Sequence, residues 1–149
     1  MKKLLLIGWI MVTGTFIVKA QVINFTDANF KAKLLSSRMN NFVAMDSADN
    51  SIRIDANFND EIEESEALRV YGLRIAHMSL NNIEGIEYFK NLEYLTFDPT
   101  VSDYTVINLP SLPKFERLGC QYMNRITNIN FIGNLPKLAH INCSYNEIT

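Results

Sequence analysis

Six oxygen-bearing residues alternate through one twelve-residue stretch: Asp55, Asn57, Asn59, Glu61, Glu63 and Glu66. Carboxylate and amide oxygens are hard donors, and calcium gathers about six to eight of them. Asp60 and Glu64 lie in the same stretch and add to its negative charge. Without a cation these acids repel one another. The chemistry suggested is therefore divalent-cation binding, and the competing reading is an acidic, solvated turn.

The stretch at residues 55–66 resembles an EF-hand calcium loop, whose pattern is D-x-[DN]-x-[DN]-G-x₅-E. The resemblance implies one side-chain oxygen each from Asp55, Asn57 and Asn59. It implies a backbone carbonyl from Glu61, a direct or water-bridged contact from Glu63, and a bidentate contact from Glu66. Ile62 fills the apolar eighth position. Asp60 stands where the pattern carries glycine. That position needs a positive φ, which Asp tolerates better than most residues. No entering helix is expected, because residues 51–54 read as extended, with Ile52 and Ile54 alternating as in a short strand. A short exit helix is expected over about 64–69. Ca²⁺ here would brace the structure; a signalling role is not expected.

The elements that position this loop read as an N-terminal cap over residues 21–69. Asp27 can N-cap a helix beginning at Ala28. Phe30, Leu34 and Leu35 give that helix one apolar face, and it should end near Asn40 or Asn41.

From about residue 70 onward the chain repeats. Ile83, Ile86, Phe89, Leu92, Leu95 and Phe97 align without gaps on Val106, Leu109, Leu112, Phe115, Leu118 and Cys120. The same columns continue as Ile129, Ile132, Leu135, Leu138, Ile141 and Cys143, at a period of 23 residues. Val70, Leu73 and Ile75 read as an earlier copy offset by 22. Apolar steps of three followed by a step of two predict an irregular or 3₁₀ segment leading into a short strand. Each copy buries little alone, so stacked copies must share one core.

Leu138-x-x-Ile141-x-Cys143-x-x-Asn146-x-Ile148 resembles the leucine-rich repeat pattern, and residues 92–97 and 115–120 match its first half. Thr100 and the displaced Asn124 depart from it. The chain is similar to secreted bacterial leucine-rich repeat proteins of the internalin-like kind. The resemblance implies an α/β solenoid with short parallel concave strands and irregular or 3₁₀ convex segments, preceded by a small helical cap. It also implies that the concave face binds a protein or glycan. The outward positions of that face include Tyr94, Thr96, Arg117, Gln121, His140 and Asn142, with Tyr94, Arg117 and His140 forming the favoured contact column. The alternative is a merely solvated surface. Cys120 and Cys143 share one inward column, and two readings stand for them: buried free thiols, or a disulfide permitted by export.

Residues 1–20 carry Lys2 and Lys3, then an apolar run, then Val18-Lys19-Ala20. This is the layout of a cleaved secretory signal peptide, with a retained anchor as the alternative. Export predicts a secreted or cell-surface protein with no stable membrane span. The remaining residues carry 11 basic and 16 acidic side chains, with no basic cluster, which argues against nucleic acid as partner. No nucleophile elbow, P-loop, H-E-x-x-H or C-x-x-C motif is present, so no enzyme is expected. The repeats stop directly after a strand, which predicts a chain truncated at its C-terminus or self-association through the uncapped edge. The leading functional expectation is an exported binding scaffold. The second is a self-assembling structural component of the cell envelope.

Overall fold

The structure is a computed structural model that describes residues 21–101 and 103–149. The predicted leader, residues 1–20, lies outside the described residues. The described chain forms a parallel-strand solenoid of about three turns with few helices. Among the described residues, no helix is long and apolar enough to cross a membrane.

The sheet on the side that the repeat pattern assigns to the concave face holds five strands: β1 (Ala44–Met45), β2 (Gly72–Ile75), β3 (Tyr94–Phe97), β5 (Arg117–Gly119) and β7 (His140–Asn142). The strands from β2 to β7 run parallel. Gly72 pairs with Tyr94, Tyr94 with Arg117, and Arg117 with His140, so the register steps by 22 and then by 23 residues, as the sequence periods require. Leu73, Leu95 and Leu118 point inward and are buried. Period-two alternation then turns Arg74, Tyr94, Thr96, Arg117, His140 and Asn142 to the concave side.

Entry into each strand repeats one hydrogen-bonding device. The Tyr71 carbonyl accepts from the N–H groups of Glu93 and Tyr94, at 2.8 and 3.3 Å. The Glu93 carbonyl accepts from Glu116 and Arg117, and the Glu116 carbonyl from Ala139 and His140. One carbonyl per turn thus satisfies two donors of the next, which fixes the stacking register.

The convex side differs from expectation after its first turn. A 3₁₀ helix occupies Ile86–Tyr88. The next two turns instead carry β4 (Val106–Leu109) and β6 (Asn128–Phe131), a separate two-stranded parallel sheet. Ile107 pairs with Ile129, so the offset here is 22 and not the predicted 23. Strand alternation turns Ile107 and Leu109 inward, both fully buried, and leaves the predicted core residue Val106 half-buried. Asn108 accepts from the Asn130 amide at 2.8 Å, locking the shifted pairing. In the last turn, Ile132 stands 68% exposed, against its predicted place in an inward column.

The first edge of the concave sheet is covered. The strand β1 was not expected from sequence; it pairs antiparallel with β2, Ala44 opposite Leu73. Helix α1 (Ala28–Leu35) begins where predicted, N-capped by Asp27, but it stops at Ser36, one turn short of the predicted Asn40. Ser36 ends it by hydrogen-bonding its hydroxyl to the Lys33 carbonyl at 2.6 Å, and Asn41 folds its amide back onto the Ser36 carbonyl. The expected strand at Ile52 and Ile54 is absent. Only a bridge from Ser51 to Met45 remains, and Ile54 drops into the core with its N–H on the Ser37 hydroxyl. The exit helix α2 spans Glu64–Ala67, shorter than the predicted 64–69.

Asp27 joins the N-terminal segment to the first turn. One oxygen accepts from the Asn29 and Phe30 N–H groups, at 2.8 and 3.1 Å. The other accepts from Asn81 at 2.6 Å and from Asn82 at 3.3 Å. Burial alone would raise this carboxyl, but the four backbone donors outweigh burial and hold its pKa below the ordinary value.

Candidate functional site

Two regions carry the residues singled out from sequence. The first is the acidic loop 55–66. Residues 21–23 staple it: Ile23 N–H bonds the Ile62 carbonyl at 2.8 Å, and Glu64 N–H bonds the Gln21 carbonyl at 2.9 Å. Ile62 is fully buried. Asp60 adopts φ +60°, the left-handed conformation that the glycine of the pattern supplies.

The side-chain oxygens of Asp55, Asn57 and Asn59 curl into the loop. Asn59 N–H donates to Asp55 at 3.2 Å and to Asn57 at 3.1 Å, and Glu61 N–H donates to Asn59 at 2.9 Å. Glu66 reaches back to Ala56 N–H at 2.6 Å and to Glu63 N–H at 3.1 Å, closing the twelve-residue circuit and capping α2. The Asn57 and Asn59 amides donate to the Glu63 carboxylate, at 3.2 and 2.7 Å. Glu61 instead turns outward to Lys31, 2.6 Å away.

Asp55, Glu63 and Glu66 are all buried, and none has a cationic partner among the described residues. Burial, and then the Glu63 side chain, raise the Glu66 carboxyl; the bond from Glu66, with that from Asn59, holds Glu63 low. Among the described residues, no three His, Cys, Asp or Glu side chains converge as a metal-binding group. The oxygens of this loop are engaged by its own backbone and amide donors.

The second region is the concave face. Register forms two outward rows, Gly72–Tyr94–Arg117–His140 and Arg74–Thr96–Gly119–Asn142. Tyr94 lies across Gly72, where no side chain intervenes, and its hydroxyl donates to Asp49 at 3.0 Å. The Arg117 guanidinium stacks on the Tyr94 ring, 5.2 Å from its centroid. Burial and the Asp49 carboxylate push the Tyr94 phenol up to about 12, so it stays a proton donor. Thr96 packs beside Gly119 and keeps the floor shallow.

A cavity of about 450 Å³ opens here, lined by Phe42, Met45, Asp49, Arg74, Tyr94, Thr96 and Arg117. A second, of about 410 Å³, adjoins it across Phe42, Arg74 and Thr96, and reaches Gln121 and Tyr122. Of the sequence-predicted contact residues, Tyr94, Thr96 and Arg117 line the first cavity and Gln121 the second. His140 and Asn142 are exposed one strand further along, and Asn142 donates to Gln121.

Sequence reasoning missed Phe42, Asp49 and Arg74. Arg74 was accessible in principle, since it is the outward residue of the earlier copy Val70-x-x-Leu73-x-Ile75. Phe42 and Asp49 reach the face only because β1 folds back over β2, and no spacing in the sequence signals that. Phe42 is 58% exposed at φ +54°, a strained placement for an aromatic residue.

Cys120 and Cys143 are both free, the first buried and the second half-buried. Burial, with Cys143 beside it, pushes the Cys120 thiol up to about 12.

The chain matches no known family model, and no curated protein is significantly similar to it.

Proposed function

We propose that this chain is a non-catalytic binding scaffold of the leucine-rich repeat kind, exported to the cell surface or medium, whose concave face recognises a protein. The observation that carries the reading is the open cavity pair on that face. It is walled by an aromatic ring, a strained exposed Phe42 and two arginines that form no ion pair among the described residues. Exposed aromatic and arginine side chains around a concavity are typical interface anchors. Asn146 supports the repeat assignment: its amide donates to the Cys120 carbonyl of the previous turn at 2.7 Å and to its own turn's Cys143 carbonyl at 3.0 Å. The test is cross-linking from this face. With a photoreactive residue at position 96, the surface-exposed protein should yield a discrete adduct. The same residue at Thr105, outside the cavities, should yield none. Equal labelling from both positions would overturn the reading.

The proposal includes a structural Ca²⁺ in the EF-hand-like loop, with Asp55, Asn57, Asn59, Glu63 and Glu66 side chains and the Glu61 carbonyl as donors. Three buried carboxylates with no cationic side chain paired to them among the described residues, and Asp60 already left-handed, support it. Calcium at about ten times its dissociation constant would stabilise the fold by about 1.4 kcal/mol. That corresponds to an unfolding shift of a few degrees, and Glu66→Gln should abolish it. An unchanged midpoint in millimolar calcium would reduce the loop to an acidic turn.

Self-association is the second reading, supported by the exposed apolar residues of the last turn. Phe131, Ile132, Ile141 and Ile148 are 54, 68, 42 and 40% exposed. Sedimentation that stays monomeric across a hundredfold concentration range would remove it.

A further inference from the structure

We infer that the cavity between Phe42, Arg74, Tyr94 and Arg117 receives an acidic side chain of a partner polypeptide, with the neighbouring apolar residue of that partner seated against Phe42 and Met45. This deepens the binding-face reading above and rests on it.

The charge of the site points this way. Arg74 and Arg117 lie on β2 and β5, two strands apart, and both guanidinium groups act on the hydroxyl of Tyr94, a residue of the intervening strand β3. Neither has a carboxylate partner within salt-bridge distance among the described residues. The one acid lining the cavity, Asp49, is occupied by the Tyr94 hydroxyl. Two cations against one anion leave the site positive, on a chain whose residues 21–149 carry more acids than bases. A guanidinium presents planar paired donors that match a carboxylate, and two of them around one cavity favour a fully ionised guest.

The shape of the site favours a polypeptide over a polyanionic glycan. Residues 21–149 carry 11 basic against 16 acidic side chains, so beyond the spot held by the two arginines an extended run of sulfates or phosphates meets a net-negative chain. Next to that spot stands an apolar wall: Phe42, held at φ +54°, and Met45. An acidic residue beside an aromatic or aliphatic one satisfies both parts, and a peptide supplies that pair. Beside the arginines the floor is low, because the outward row that Arg74 begins continues with the short residues Thr96 and Gly119.

The test is selection of a random dodecapeptide phage library on the full-length protein. The expected result is enrichment of sequences that place Asp or Glu beside Phe, Tyr, Leu or Met. A synthetic consensus peptide should lose at least tenfold in affinity when its acid is replaced by the amide. Arg74→Gln and Arg117→Gln should each cause a comparable loss while unfolding with the wild-type midpoint. The amide-substituted peptide gives the same information without any change to the protein.

Peptides that bind equally as acid and amide, yet compete with one another on this face, would overturn the inference and leave the binding-face reading intact. A heparin-derived sulfated oligosaccharide that binds tightly and is lost in Arg117→Gln, with no acidic peptide enriched, would also overturn it. No enrichment above an unrelated control protein would count against both.

Discussion

Asp27 gives the sharpest test of how the N-terminal segment is fastened to the solenoid. Its carboxylate is 4% exposed and accepts four backbone N–H groups, two at the start of α1 and two from Asn81 and Asn82. Asp27→Asn keeps one oxygen for the helix cap, since Asn caps as well as Asp, but it presents an amide donor to Asn81 and Asn82. Asp27→Ala removes both functions. Loss of a cap costs about 1 kcal/mol. Loss of a charged acceptor for two partly buried donors costs about 2 kcal/mol. The expected destabilisation is therefore about 2 kcal/mol for Asn and about 3 kcal/mol for Ala. At about 2.1 cal/mol/K per residue of unfolding entropy, 3 kcal/mol lowers the midpoint of the described region by about 11 °C.

Denaturant unfolding of the full-length protein, followed by circular dichroism, measures both variants. The pH dependence supplies a second signature. Because the folded pKa of Asp27 lies below its ordinary 3.8, its contribution is present above about pH 4 and fades as pH falls through the folded value. The wild-type advantage over Asp27→Asn should shrink below pH 4. If both variants lose less than about 0.5 kcal/mol, or Asn and Ala fall equally, the double role of this carboxylate is wrong.

Three further outcomes follow from packing. Gly133 lies directly against the backbone of Pro110 and Ser111, so Gly133→Ala forces two turns apart and should cost about 1–3 kcal/mol; a neutral result would show that the last turn shifts freely. Leu95→Ala opens a cavity at a fully buried position and should cost about 2–5 kcal/mol, whereas Ile141→Ala, at 42% exposure, should cost less than half as much; equal losses would contradict the difference in burial. At pH 8 a maleimide should label Cys143 well before Cys120, whose thiol is buried and raised to about 12; unfolding should equalise the two, and simultaneous labelling in the folded protein would refute the assigned burial.

Legibility followed the range of the physics. The inward triplet Leu73, Leu95 and Leu118 was readable because neighbouring parallel strands at near-constant offset make burial periodic in sequence. The loop 55–66 was readable in its local geometry, Asp60 left-handed and Ile62 buried, since both depend on residues a few positions away. Asp27 was readable as a helix cap for the same reason. Its second oxygen was not, because its donors lie 54 and 55 residues further along the chain.

The misreadings also have a physical origin. Val106 and Ile107 are both apolar, so sequence alone could not choose which one faces inward. Strand pairing with Asn128–Phe131 made the choice, and with it came an offset of 22 instead of 23. Helix α1 ended early because Ser36 and Asn41 bond to backbone carbonyls in competition with the helix.

The sequence by itself determined that this chain stacks turns of nearly constant length, which residues form the inward columns of the concave sheet, and where one acid-rich loop and one helix start stand. Tertiary structure decided the rest of the concave face. The Tyr94 hydroxyl meets Asp49 across 45 residues, and Phe42 joins Arg74 only because β1 folds back onto β2. A cavity of this kind is made by contacts between distant segments, and periodicity carries information only about the spacing within each turn.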